Sequence, residues 1–411
     1  MGTGRRAGLS GLSTRAAKGG GKELIMVSKF NRFIFWTHLI CALLTAPVIL
    51  IMSITGVLLM YEKQVVHYLE RIPAPKNGAN TQSFRLNDLL KGDQASVPRS
   101  ITLSVDPAAP IVIGAGMRGP GLYLDPYSGQ VIADPAAGTR RFFQLLTAWH
   151  RWFALADEHR GVGRMITGAS NLVFLYLICS GLYLWMPRIW KWSQVRAALY
   201  VRPGLTSGRA RDWNRHRVYG FWCALPLAVV VATAVVFSYG WANALVFRLA
   251  GESPTSGQRG GPPGMARQGE FGPPGQSTAP AVPPRPLEEY IQAVTASMPD
   301  WRTLTLQLPR AGEKAIRIDV DRGYGGEPQK RSTLEVDLES AGLISTQSFA
   351  DQTTGRRWRT LIRFLHTGEA LGLAGQTLAG VVSFVSLILI WTGVKLAWRR
   401  YIRPLFGATP A

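Results

Sequence analysis

Apolar residues in this chain gather into long blocks instead of recurring at core spacing. Four blocks, Phe33–Tyr61, Arg164–Pro187, Val218–Phe247 and Leu373–Trp398, are each long enough to cross a bilayer. Crossing ~30 Å of hydrocarbon takes about 20 apolar residues. After the first and third blocks the pattern changes to period 2. "SITLSV", "PIVIGAG" and "GLYLDPYSGQVIAD" read as strands following a short helix at "FRLNDLLKG". "RTLTLQLP", "KAIRIDV" and "STLEVDLESAGLISTQ" repeat that order after a helix at "RPLEEYIQAVTASM". Alternation buries one face of each strand, and the turns "DPYSGQ" and "DLESAG" fall at matching places. The pattern predicts an α-helical membrane protein with four transmembrane helices in two parallel repeats and two small α+β outer modules. Repeats of this kind are related by an axis along the membrane normal, and ligand sites favour their interface.

The predicted order is a disordered cytoplasmic tail (1–28), transmembrane helix 1 (29–62), an outer module (63–145), and an interfacial helix leading into transmembrane helix 2 (146–188). A cytoplasmic loop (189–212), transmembrane helix 3 (213–248) and a Pro/Gly-rich linker (249–286) follow. The second outer module (287–355), an interfacial helix with transmembrane helix 4 (356–399) and a cytoplasmic tail (400–411) complete it. Within the tail, residues 1–25 are rich in Gly, Ser and Arg, and Met26 is an alternative start. The first block ends in "GVLLMYEKQ" without a small-residue cleavage site, so it reads as a signal anchor and not as a signal peptide.

Charge sets the orientation. The 411 residues carry a net charge of +21, yet only 17% are charged. Lys and Arg cluster before the first block, after the second and after the fourth, which places those segments in the cytoplasm and the modules outside. The basic excess therefore reports topology and anionic lipid, and argues against a nucleic-acid partner. Cys41, Cys179 and Cys223 all fall inside blocks, so no disulfide framework is predicted. "IVIGAGMRGPG" holds Gly114, Gly116 and Gly119 at dinucleotide-fingerprint spacing, but Pro120 and another strand follow where a helix is needed, so it reads as a turn.

The histidines carry the chemistry. His38 opens the first block and His216 the third; each precedes a Thr-small pair, Thr55–Gly56 and Thr233–Ala234, by the same interval. His150 precedes the second block and His366 the fourth, and each is followed by a small-Gly-apolar run, "SGLYLW" and "TGVKLAW". One interfacial histidine needs no function, since it can cap a helix or touch headgroups. Four at repeated positions are different, because ionisable groups inside a membrane are costly and tend to be functional. Imidazoles facing each other across a bundle can clamp a haem iron. His38 with His216 and His150 with His366 would hold two haems, with Arg32 and Arg217 inside and Arg151 and Arg363 outside facing the propionates. His159 is a rival outer ligand to His150, and His67 is a further candidate for that place. Zinc or non-haem iron fits less well, because Glu369 is the one nearby carboxylate and it suits a helix N-terminus.

"HRWFAL…GLYLWMPR", "NRHRVYGFWCALPLAV" and "LHTGEALGLAGQTLAG…TGVKLAW" resemble the PepSY-associated transmembrane helix family of bacterial inner membranes, from about Lys29 to Arg400. The outer modules look like degenerate PepSY domains. The resemblance implies an inner-membrane oxidoreductase with two b-type haems that reduces a ferric siderophore or other ferric chelate in the periplasm and releases Fe(II). A cytosolic reductase or quinol would donate the electrons, and Tyr123, Tyr127, Tyr324 and Trp301 could help dock the chelate. This chain departs from the family at "THLIC", where His-Arg-Trp is common, and at Thr233–Ala234, where Thr-Gly is usual. Two other classes remain in view: a membrane-anchored regulatory or peptidase-binding protein, and a transporter of haem or iron.

Overall fold

The computed structural model describes residues 11–74, 86–90, 98–114, 121–187, 190–253 and 281–406. In chain order the helices are α1 (Gly11–Leu59), α2 (Glu62–Leu69), α3 (Ala137–Trp152), α4 (Arg160–Trp185), α5 (Trp192–Leu199), α6 (Gly208–Ser238), α7 (Gly240–Leu249), α8 (Leu287–Ser297), α9 (Thr354–His366) and α10 (Gly372–Ala397). Four stretches, Lys29–Leu59, Arg160–Trp185, Gly208–Ser238 and Glu369–Ile402, are long and apolar enough to cross a membrane. Leu44, Leu225 and Phe384 are exposed on them, which costs nothing where the solvent is hydrocarbon.

Two boundaries differ from the sequence reading. The first helix begins at Gly11, within the predicted disordered tail; no proline precedes Pro47, and Ala, Leu, Lys and Arg are good helix formers. The third span stops at Ser238 because Tyr239 is extended, and the rest of that apolar block forms α7. The Pro/Gly-rich stretch 254–280 and the turn 115–120 lie outside the described residues.

The chain divides into two compact units. The first comprises Met1–Ser53, Ala169–Val231 and Val382–Ala411. Ile178, Ala224, Leu227, Val231 and Val382 form its apolar centre. Polar contacts pin the helices: Asn171 Nδ2 donates to Val231 O (2.9 Å), Ser386 to Ser53 (2.7 Å), and Arg399 pairs with buried Asp212 (2.9 Å). Small side chains and interhelical hydrogen bonds are the usual means of joining helices in lipid, where no hydrophobic force acts between them.

The second unit comprises Ile54–Gly168 and Ala232–Val381. The two modules do not build separate sheets. Strands β1 (Ser100–Ser104), β2 (Ile111–Gly114), β3 (Leu122–Leu124), β4 (Val131–Ile132), β5 (Thr303–Gln307), β6 (Ala315–Asp321), β7 (Arg331–Asp337) and β8 (Leu343–Ser348) make one antiparallel sheet in the order β4-β3-β2-β1-β5-β6-β7-β8. The join is β1 against β5, with Thr102 opposite Thr305 at its midpoint and their hydroxyls 3.1 Å apart. Alternating Leu304, Leu306, Ile316, Ile318, Leu334 and Val336 point to one face, where Leu287, Tyr290 and Val294 of α8 cover them. The predicted helix at "FRLNDLLKG" is a 3-10 turn, Leu86–Leu90, packed on that same core.

The two matching turns share one geometry. Asp125 Oδ1 accepts from the amides of Tyr127 (2.7 Å) and Ser128 (3.1 Å); Asp337 Oδ1 accepts from Glu339 (3.0 Å) and Ser340 (2.8 Å). The fifth residue is left-handed in both, Gly129 at φ 70° and Ala341 at φ 57°. A Cβ disfavours that region by roughly 1–2 kcal/mol, while glycine costs about 0.4–1 kcal/mol in unfolded-state entropy. Ala341→Gly should therefore stabilise the detergent-solubilised protein by up to about 1 kcal/mol, and Gly129→Ala should destabilise it by about as much, read from thermal unfolding.

Candidate cofactor sites

In the first unit His38 projects from α1 and its Nδ1 meets Ser180 Oγ of α4 at 2.8 Å. His216 projects from α6, and its Nδ1 meets Thr392 Oγ1 (3.0 Å) and Leu389 O (3.1 Å) of α10. Both hydroxyls also donate to a carbonyl one turn back in their own helix, Ser180 to Tyr176 O (2.8 Å) and Thr392 to Ile388 O (2.7 Å). A hydroxyl has one proton to give. Having given it to the helix, each can only accept from imidazole, so Nδ1 carries the proton and Nε2 is the basic nitrogen. Leu389 O, which cannot donate, requires the same tautomer of His216. This is how proteins prepare a neutral histidine to bind metal through Nε2.

The residue after each hydroxyl is glycine, and the ring lies over it. A Cβ on Gly181 would be 3.4 Å from His38 Cε1, and one on Gly393 would be 3.3 Å from His216 Cε1. Both rings line a cavity of about 1250 Å³ walled by apolar side chains such as Ile49, Leu227 and Phe221. That is above the roughly 300–1,000 Å³ of drug-sized pockets and suits a macrocycle. Arg202, Arg209, Arg217 and Arg400 also line it. Arg217 donates to Trp185 O at 2.9 Å, beside the stacked pair Trp185–Phe221. Arg32 is exposed on α1 and is not among the lining residues.

The second unit repeats the device. His150, in the last turn of α3, places Nδ1 2.9 Å from Thr55 Oγ1 and its ring over Gly56, where a Cβ would be 3.3 Å from Cε1. His366, the last residue of α9, places Nδ1 3.3 Å from Thr233 Oγ1. Here the following residue is Ala234, and this is the longest of the four imidazole–hydroxyl contacts. The rings of His150 and His366 lie 6.3 Å apart at 59°, and Phe237 packs edge-on against His366 (5.4 Å).

Turns hold these two histidines at their helix ends. Phe153 (φ 56°) and Ala154 (φ 51°) end α3 in left-handed conformation, directly beyond His150. After His366, a Cβ on Gly368 (φ 73°) would be 2.2 Å from Gly375 O, so only glycine closes that turn. Glu369 is buried there, paired with Lys63 (2.6 Å) and accepting from Thr367 (2.9 Å). His159 points to solvent beside Glu158, and His67 pairs with Glu70 and Asp106; neither joins the His150–His366 pair. Among the described residues, no three His, Cys, Asp or Glu side chains gather as a metal site.

A family model described as the PepSY-associated TM region matches residues 35–400. The chain belongs to the PepSY-associated transmembrane family. No curated protein matches it. What sequence reading missed in this PepSY-associated chain is the hydroxyl half of each pair: Thr55, Ser180, Thr233 and Thr392. Each of the four opens a hydroxyl–small dipeptide, but such dipeptides recur in the spans, at Thr45–Ala46 and Thr167–Gly168 for example, and none announces its imidazole partner. Arg363, facing the Phe364 ring at 5.3 Å, is lowered from its ordinary value by desolvation and then by Arg331, against which Glu369 acts. Arg151 stacks on Trp152 at 5.2 Å.

Replacing Thr392 by Val keeps the shape and removes the hydroxyl that holds His216. It should lower stability by about 0.5–1 kcal/mol, since Nδ1 loses one of two acceptors and keeps Leu389 O, while circular dichroism stays helical.

Proposed function

We propose that this protein is a di-haem electron-transfer oxidoreductase of the bacterial inner membrane, with both termini cytoplasmic and both modules periplasmic. The observation that carries the reading is a repeated device: four histidines each meet a hydroxyl through Nδ1, and three of the rings lie over the glycine that follows it. His38 with His216, and His150 with His366, would hold the two haems. When bound, b-type haem at the two sites supplies one-electron transfer from a cytosolic reductase or quinol to a ferric siderophore or other ferric chelate, which then releases Fe(II).

The chain's own residues prepare the sites and exclude other chemistry. At His38 and His216 the Nδ1 hydrogen bonds fix the tautomer, so Nε2 is presented as a neutral ligand. The apolar walls keep water from the first cavity, and Arg202, Arg209, Arg217 and Arg400 offer positive charge to propionates. In the second unit Arg151 and Arg363 do the same. Two parallel repeats explain why each half supplies one ligand to each pair.

The purified protein should be coloured and show two low-spin haems per chain on dithionite reduction. His38→Ala should lose one and His366→Ala the other, counted by pyridine haemochromogen. A colourless protein whose histidines all tolerate alanine would leave a regulatory or peptidase-binding role instead, and haem that exchanges freely with added haem would indicate transport.

Ala234 offers a finer test. Glycine there reproduces the hydroxyl–glycine dipeptide of the other three sites and should let Thr233 close on Nδ1 from its present 3.3 Å. A stronger Nδ1 hydrogen bond makes the ligand more basic and favours the ferric state. Ala234→Gly should lower the midpoint potential of one haem and leave the other unchanged in a potentiometric titration.

A further inference from the structure

One guanidinium in the second unit has no acidic partner among the described residues. Arg359 lies on α9, two turns before His366. Its Nε donates to Asn243 Oδ1 of α7 at 2.6 Å, and its guanidinium stacks on Phe237 at 4.7 Å. Phe237 is the same ring that packs against His366. Arg359 Nη1 is buried and has no hydrogen-bond partner among the described residues. Arg363, one turn further along α9, likewise enters no ion pair among those residues. Two cations that share the Phe364 ring with Arg363 are paired, Lys63 with Glu369 and Arg331 with Asp321.

Two guanidiniums one turn apart, partly withdrawn from water and without a carboxylate, repel each other. Burial and then Arg363 bring Arg359 down to about 10. A purely structural residue at this place would serve better as an apolar side chain, which would also cover Phe237 and leave no N–H unpaired. The site is positioned from several sides. Glu252 holds the start of α9 by accepting from the Gly355 amide (2.7 Å) and the Thr353 hydroxyl (3.0 Å). Phe247 packs closely over Gly355, fixing α7 against α9. Asn243 and Phe237 then fix the plane of the Arg359 fork.

We propose that Arg359 and Arg363 form a carboxylate-binding site beside His366. A carboxylate fits because guanidinium presents parallel N–H donors to two oxygens, and because the pair carries charge of one sign. The site stands on its own geometry. Assigning its carboxylate to a haem propionate or to a ferric chelate rests on the function proposed above.

The test uses the full chain in nanodiscs, haem-loaded and haem-free, with citrate as probe and Arg359→Gln, Arg359→Lys and Arg363→Gln as variants. Citrate should bind the haem-free protein, and Arg359→Gln should weaken it at least tenfold. Arg359→Lys, which keeps the charge but loses the fork, should fall between. Citrate binding that persists in the haem-loaded protein assigns the site to a chelate. Binding abolished by haem, with faster haem loss on washing Arg359→Gln, assigns it to a propionate. Thermal melting separates this from a packing role: Arg359→Gln should melt no lower than the parent, and Arg363→Gln gives the same reading should Arg359→Gln not fold. Citrate affinity and haem retention both unchanged within twofold in Arg359→Gln and Arg363→Gln would overturn the site. A chain that never holds haem would sink the proposed function while leaving the citrate measurement decisive for this one.

Discussion

A neutral imidazole pinned by a hydroxyl is the constraint on which the rest of this molecule depends. Histidine in an apolar helix bundle has two nitrogens to satisfy and a ring that can rotate. Ser180 and Thr392 remove both freedoms at once, because each has already spent its proton on its own helix. The adjoining Gly181, Gly56 or Gly393 then lets the ring lie against the partner helix within van der Waals contact. For His38 and His216, ring position and tautomer are thereby set by one hydroxyl–glycine dipeptide on the neighbouring helix.

The two units use that device under different surroundings. In the first, the rings face a large apolar cavity with arginines at its wall. In the second, His150 and His366 end amphipathic helices whose last turns also carry Arg151 and Arg363. Positive charge thus accompanies the histidines in both. Among the described residues Arg359 and Arg363 enter no ion pair, whereas Arg140 is paired with Glu70 and Asp134.

Much of the fold was legible in the sequence. Apolar blocks gave the four spans, and period-2 runs gave all eight strands, because lipid and a one-sided core impose strong patterns. The histidines stood out because a titratable side chain is rare where the chain enters oil. What stayed hidden depended on distant partners. No local pattern says that Ser180 meets His38 or that Thr305 lies opposite Thr102. Tyr239 breaks the third span by a backbone choice that its apolar neighbours do not announce. Arg359 looked like one more basic residue on an amphipathic helix until Asn243 and Phe237 were seen around it.

The continuous sheet has a consequence for the outer histidines. Strands β4 and β8 are its opposite edges, about seven spacings of ~4.8 Å apart. The helix bearing His150 departs from one edge and the helix bearing His366 from the other, and at 16 and 13 residues they reach about 24 and 20 Å. The two rings nonetheless meet at 6.3 Å. One sheet, continuous through the β1–β5 seam, carries both helices, so each ring reaches its partner through a ladder of backbone hydrogen bonds.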